Sequence, residues 1–255
     1  MKLKFLGTGT SQGIPVIGST HPVCLSTNQK DKRLRASVMI TDDENKKILI
    51  DCGPDFRQQM LANHEKTVDA LLITHEHNDH VIGLDDLRPI IFQKKQDITI
   101  YSMPRVNHEI KKRFPYAFAE DKYPGAPSFE LIDINNQPFS IGTTEITPIE
   151  VLHYNLPIFG YKFKNLAYIT DASYITPEEK QKLKNLEYLI INCLRKTEPH
   201  IAHYILPEII ELVEELKPKK TFLTHISNKF GFHDEVENDL PNNIHLAYDG
   251  LEIEF

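Results

Sequence analysis

No stretch of the chain approaches the ~18 consecutive apolar residues of a membrane-spanning helix. The opening Met1-Lys2-Leu3-Lys4-Phe5 reads as the start of a strand rather than a signal peptide. Cysteine is scarce. Cys24, Cys52 and Cys193 are odd in number and widely spaced, which argues against a disulfide framework and for a reducing, cytoplasmic setting. Positive charge is also in deficit: the net charge of −7 argues against nucleic acid as a partner, because such proteins usually carry a basic face. Local basic runs at Lys30–Arg35, Lys111–Arg113 and Lys217–Lys220 read as solvated surface. Neither a repeat with a period of about 20–50 residues nor a linker divides the sequence, so one domain over 1–255 is expected.

What the chain has is a concentration of imidazole. In Leu71-Leu72-Ile73-Thr74-His75-Glu76-His77-Asn78-Asp79-His80, an apolar run leads straight into three His and one Asp within six residues. That is the pattern of a buried strand ending in a site. On extended backbone, residues two apart point the same way, so His75 and His77 suit one ion. A turn into helix would send Asp79 and His80 in another direction, toward a second. A histidine-rich surface loop is the bland alternative, and the density of ligands tells against it.

Strands are expected at Leu3–Leu6, Leu34–Thr41, Lys47–Asp51, Ile98–Tyr101, Phe129–Ile134, Thr144–Leu152, Phe159–Phe163, Leu166–Thr170, Tyr188–Asn192 and Thr221–Thr224. Helices are expected at Asp55–Glu65, Leu84–Phe92, Pro104–Phe114, Pro177–Leu186 and Pro207–Leu216. Pro15–Lys32 reads as loop, and the alternating His245–Phe255 as a hairpin around Asp249-Gly250. The aromatic- and proline-rich Pro115–Pro127 suits either a lid over a substrate or an ordinary surface loop. Strands interspersed with helices in both halves predict sheets sandwiched by helices. Gly7-Thr8-Gly9-Thr10-Ser11-Gln12-Gly13 lacks the dinucleotide spacing and the helix that should follow it, which excludes a Rossmann site.

Three more polar residues end predicted strands: His153, Asp171 and His225. Each alone reads as a cap or turn residue. With the cluster they make five His and two Asp, enough for two ions with three ligands each and a bridging carboxylate. That is the arithmetic of a two-metal hydrolase with ions ~3.5–4 Å apart. Asp51, at the end of another strand, suits either an orienting hydrogen bond to a ligand histidine or a turn.

His75-Glu76-His77-Asn78-Asp79-His80 matches the H-x-H-x-D-H signature of the metallo-β-lactamase superfamily. Val151-Leu152-His153, Tyr168-Ile169-Thr170-Asp171 and Leu223-Thr224-His225 resemble its later ligand motifs, in order. One branch is more similar, the phosphoribosyl cyclic phosphodiesterases of phosphonate breakdown. The likeness runs through Gly7–Pro15, Asp51–Arg57, Gly83–Arg88, Phe114–Tyr116 and Pro199–His203. The resemblance implies an α/β four-layer αββα sandwich with its site along one edge of the sheets. It assigns His75, His77 and His153 to one metal, Asp79, His80 and His225 to the other, and Asp171 to both. It also makes His203, 22 residues before His225, the candidate general acid. A surface histidine leading a helix is the alternative for that position. The branch holds a separate structural zinc with three cysteines and a histidine. Here Ser19 and His21 stand for two of those cysteines, only Cys24 matches, and Asn228 replaces the histidine. That second zinc is expected to be absent or incomplete, with Cys24 a free thiol.

The expected function is therefore a phosphodiesterase acting on a small phosphate ester, cyclic esters included, with hydroxide held between two divalent ions as the attacking group. Asp79 would orient that hydroxide as well as ligate. Imidazoles suit zinc and carboxylates suit manganese, so both metals remain open. Arg88 and His200 are candidate substrate contacts, with Arg57 a further one; structural salt bridges are the alternative for both arginines, and His200 is a second candidate acid, while His21, His64, His108, His233 and His245 read as surface or packing residues. Two other readings compete: a ribonuclease Z-like or thioester hydrolase on the same site, and a non-catalytic metal- or nucleotide-binding protein. The expected partner is a small-molecule phosphate ester, with no membrane, and a homodimer is the assembly left open.

Overall fold

Apolar runs too short to make helices pair into two sheets. The computed structural model describes residues 1–255. In the first half these runs become β1 (Lys2–Gly7), β2 (Ser37–Thr41), β3 (Lys47–Ile50), β4 (Ala70–Leu72), β5 (Ile98–Ser102) and β6 (Phe129–Asp133). In the second they become β7 (Phe139–Ile141), β8 (Thr144–His153), β9 (Leu156–Phe163), β10 (Leu166–Ile169), β11 (Tyr188–Asn192), β12 (Lys220–Thr224) and β13 (Ile244–Leu246), followed by β14 (Glu252–Glu254). The first sheet has the order β14-β1-β2-β3-β4-β5-β6 and the second β13-β12-β11-β10-β9-β8-β7. From β3 to β6 and from β10 to β13 the neighbours run parallel. Strands β4 and β10 are buried on both faces, which is why they read as continuous apolar runs instead of alternating ones.

Helices cover both outer faces. On the first sheet lie α1 (Phe56–Ala62), α3 (Arg88–Lys94) and α4 (Pro104–Arg113), with the short α2 (Asn78–Val81) between α1 and α3 in the chain. The second sheet carries α5 (Pro177–Lys182), α6 (Leu206–Leu216) and α7 (His233–Asp239). In α6, Ile209, Leu212, Val213 and Leu216 recur at helical spacing and bury one stripe among the second sheet's side chains. Each such side chain contributes ~1.5–3 kcal/mol on burial. The larger core cluster joins Leu3, Ile50 and Leu71 of one sheet to Tyr161, Phe163 and Tyr168 of the other. The layers are therefore α/β/β/α, the αββα sandwich expected. Two hydrogen bonds cross between the sheets beside the histidine motif: Tyr161 Oη donates to Ile73 O at 2.7 Å, and Phe159 N to Thr74 O at 3.2 Å.

Several elements differ from expectation. The tail is not a hairpin: β13 joins the second sheet parallel to β12, and β14 joins the first antiparallel to β1. Asp249 explains the crossing, because its carboxylate accepts from Thr8 Oγ1 and Leu34 N and pins the connection instead of closing a turn. The expected helix over 84–92 splits into a 3-10 turn (Ile82–Leu87) and α3, since Pro89 has no N–H to continue a single ladder. The loop over 15–32 contains two short 3-10 helices, and β2 starts at Ser37, not Leu34. Neither β7 nor α7 was anticipated; one is three residues long, and the other buries only His233 and Val236.

His233 belongs to a buried polar knot around Arg33. Arg33 Nη1 donates to Thr8 Oγ1 at 2.8 Å and Ala247 O at 2.5 Å, and Nη2 lies 3.0 Å from His233 Nδ1. A guanidinium can only donate, so Nδ1 accepts and the ring proton sits on Nε2. Burial, then the nearby Arg33 charge, push the His233 pKa down to about 4 from 6.5. The folded state thus refuses a proton that the unfolded chain accepts. Stability from this group is complete above pH 6.5 and is lost as pH falls toward about 4. Thermal unfolding across this range should show a steeper acid-side loss in the wild type than in His233→Gln, whose amide oxygen also accepts from Arg33. Parallel curves would contradict this.

Candidate metal centre

The motif after β4 stays extended through His77 (φ −62°, ψ 149°) and then enters α2. His75 and His77 therefore leave the backbone before the helix, and Asp79 and His80 leave from its first turn. Two glycines fit the neighbouring segment against this backbone. A Cβ on Gly53 would stand 2.0 Å from Asp79 O, and one on Gly83 2.0 Å from Gly53 O, so no side chain fits at either position. Residues at four strand ends around the site take left-handed backbone: Asp51 (φ 64°), Tyr154 (φ 55°), Asp171 (φ 58°) and His225 (φ 55°). Such conformations cost ~1–3 kcal/mol in a non-glycine residue and cluster where side-chain aim matters. They turn Asp171 and His225 out of their strands.

Four groups of potential ligands result, with ligand atoms inside each within 4.8 Å of one another: His75/His77/His153, His75/His80/Asp171, Asp79/His80/His225 and His153/Asp171/His203. All the sequence-derived ligand candidates come together here. The hydrogen bonds define which nitrogens face inward. His80 Nδ1 lies 2.7 Å from Asp51 Oδ2, and His153 Nδ1 2.9 Å from Ala202 O. Both partners can only accept when Asp51 is ionised, so both Nδ1 atoms carry the proton and both Nε2 atoms present lone pairs. His80 Nε2, buried and without a hydrogen bond, sits 3.2 Å from Asp79 Oδ2 and 3.3 Å from Asp171 Oδ2. His225 Nε2 is equally unpartnered, 3.1 Å from Asp171 Oδ1. Lone pairs and carboxylates converging in a buried space require positive charge between them, and this donor set fits divalent cations.

The side-chain charges alone report the same deficit. Burial opposes a charged His80, yet Asp51, Asp79 and Asp171 push its pKa well above the ordinary value. Burial likewise opposes an ionised Asp171, but His225 and His80 hold its pKa well below the carboxylate range. In the absence of a metal ion, protons would occupy these positions.

Other predicted residues are distributed unevenly. His203 stacks on His225 and lies near His153, both at 4.8 Å between ring centroids; its Nδ1 is unpartnered and 3.8 Å from Asp171 Oδ1. His200 stacks on His203 at 5.0 Å. Asp51 takes the orienting role: besides His80, it accepts from Thr74 N at 2.8 Å. Arg88 donates to Asp85 at 2.6 Å, the structural ion pair that was its alternative reading, and Tyr116, in the segment read as either lid or surface loop, donates to the same carboxylate at 2.7 Å. Arg57 lines a groove between α1 and α3 with Asp86 and Pro89. In the region of the resembling branch's second zinc, His21 Nδ1 accepts from Val23 N and Cys24 Sγ from Val16 N. Not anticipated were Glu76, Arg105 and Arg113, whose contacts surround the His75–His77 segment.

The family model described as the β-lactamase superfamily domain matches residues 46–226. The chain belongs to this superfamily. Among curated relatives, it is 40% identical over 253 residues to the octanoyltransferase of Porphyromonas gingivalis (strain ATCC BAA-308 / W83), covering 99% of this chain but 51% of that protein. The chain thus spans about half the length of that relative. Among solved structures, a diphosphatase from the PhnP family superposes with a TM-score of 0.92 at 37% identity, over 100% of this chain and 97% of that one. The Zn²⁺-bound PqqB of Methylobacterium extorquens superposes at 0.81 with 18% identity over all of both chains, a likeness of fold. This superfamily member has the fold and donor chemistry of a metal-dependent hydrolase, and its likeness to the PhnP family agrees with the branch its motifs resemble.

Proposed function

We propose that the protein hydrolyses a phosphorus–oxygen bond in a small phosphodiester or organic diphosphate, using two divalent ions, zinc or manganese. The observation that carries this reading is that Asp171 groups with ligands of both sets: its ligand atom lies within 4.8 Å of those of His75 and of His153, and its carboxylate is 3.3 Å from His80 Nε2 and 3.1 Å from His225 Nε2. His75, His77 and His153 would hold one ion and Asp79, His80 and His225 the other, with Asp171 within reach of both. The likeness to a diphosphatase supports phosphorus as the centre attacked. When bound, such ions act as Lewis acids and lower the pKa of water toward neutrality.

The chain's own groups divide the remaining work. Asp79 orients the attacking water. His203 delivers a proton from Nδ1 to the leaving oxygen. Burial, followed by His225, pushes the His203 pKa down to about 3 on side-chain charges alone. A proton there at neutral pH needs an anion opposite, and a substrate phosphate supplies it. His200 stacks behind this ring and holds its position, while Arg88, engaged by Asp85, contacts substrate only by exchanging that partner. A leaving group that needs no proton separates acid catalysis from binding. His203→Ala should slow hydrolysis of an alkyl phosphodiester by ~10²–10⁴-fold. It should slow bis-p-nitrophenyl phosphate far less. Equal losses on both would remove His203 from the acid role.

A second reading, hydrolysis of an acyl thioester, is favoured by the acyl-transfer name of the half-matching relative. Turnover of an octanoyl thioester, with none of bis-p-nitrophenyl phosphate under any divalent metal, would replace the first reading with the second.

A further inference from the structure

Glu76 lies between two histidines assigned to one ion, yet its carboxylate points toward α4. Arg105, in the first turn of that helix, grips it with a two-pronged ion pair: Nε to Oε1 at 2.8 Å and Nη2 to Oε2 at 3.0 Å. The same Nη2 donates to Pro157 O at 2.9 Å. Pro157 lies on β9 opposite Leu152 of β8, the residue before His153. Arg113, about two turns further along α4, donates to the Glu76 backbone carbonyl. One guanidinium therefore ties the segment bearing His75 and His77 to the hairpin bearing His153. These strands belong to different sheets, and no covalent connection sets their spacing.

We propose that Arg105, acting through Glu76, is the positioning residue that sets the affinity of the His75/His77/His153 ion site, leaving the other ion site largely untouched. This inference rests on the two-ion reading above. Arg105 suits the task because its planar fork fixes both the distance and the angle of the carboxylate, which a lysine ammonium cannot do. The Glu76 side chain is 15% exposed and that of Arg105 36%, so the carboxylate is shielded while the guanidinium is partly open, and the two-pronged geometry rather than burial fixes the pair. Asp79, His80 and His225 are delivered by α2 and the end of β12, and the hydrogen bonds of Arg105 go instead to Glu76 and Pro157 O.

The test is calorimetric titration of the metal-free protein with Zn²⁺, with the binding phase lost in His153→Ala identifying the three-histidine site. Arg105→Ala should weaken that phase by roughly 10–100-fold, the range for loss of a group that orients a metal ligand. The other phase should stay within about threefold. Arg105→Lys should recover only part of the loss, and it serves if the alanine variant folds poorly. Combining Arg105→Ala with Glu76→Gln should weaken binding no further than Glu76→Gln alone, because one pair accounts for both effects. Unchanged phases, or equal weakening of both, would overturn the inference. Wild-type protein that takes up no Zn²⁺ would instead overturn the two-ion reading, and this inference with it.

Discussion

Asp171→Asn should lower kcat/KM by roughly 10³–10⁵, equivalent to several kcal/mol at 1.36 kcal/mol per tenfold. Asp171 is buried, its Oδ2 accepts from Thr170 Oγ1 at 2.7 Å, and its two oxygens face His80 and His225 from either side. Asparagine keeps the volume and one acceptor but loses the charge. Its amide hydrogens would also point at a nitrogen lone pair. Bound metal per chain, measured by elemental analysis, should fall together with turnover of bis-p-nitrophenyl phosphate. A variant that retained both metal and rate would mean that Asp171 is not shared between two ions.

Asp51 carries the second large effect, through a different route. It is fully buried behind the ligands and acts on the site only through its neighbours; it holds His80 Nδ1 at 2.7 Å and Thr74 N at 2.8 Å. Asp51→Ala leaves both donors buried without an acceptor, a loss of ~3–5 kcal/mol for a broken buried pair. Thermal unfolding should fall by about 6–20 °C, taking ~2–4 °C per kcal/mol for a protein of this size. Asp51→Asn separates fold from site. The amide oxygen still accepts from Thr74, but its nitrogen faces His80 and drives the imidazole proton to Nε2, the atom that points inward. Metal affinity at that histidine should drop by roughly 10–100-fold with a much smaller loss of stability. Equal metal binding by wild type and Asp51→Asn would show that Asp51 does not control the His80 tautomer.

The site was legible in the sequence where its geometry is local. The shared direction of His75 and His77 follows from the two-residue period of extended backbone, whereas the turn into helix before Asp79 was only a condition in the sequence, which α2 meets. His153, Asp171 and His225 were visible because apolar strands end in polar residues at those positions. The left-handed backbone of Asp171 and His225 was not, since nothing in the spacing distinguishes it. Contacts between distant segments were the least visible. Arg105 lies in a helix 29 residues from Glu76, and its fork reads from sequence as ordinary surface charge. The tail failed for a similar reason: alternation in 245–255 fits a hairpin or two separate edge strands equally well. Its course was decided by Asp249 reaching Thr8 and Leu34, more than 200 positions away.

Whether the converging side chains form a two-ion hydrolytic centre acting on phosphate esters is tested most directly by a metal titration of chelator-treated protein. Bound ions per chain and hydrolysis of bis-p-nitrophenyl phosphate are followed in the same samples. Turnover should be absent without metal and should rise with Zn²⁺ or Mn²⁺ to saturation at two ions per chain. Full activity with one ion or none, or two bound ions without any phosphodiester hydrolysis, would contradict such a centre.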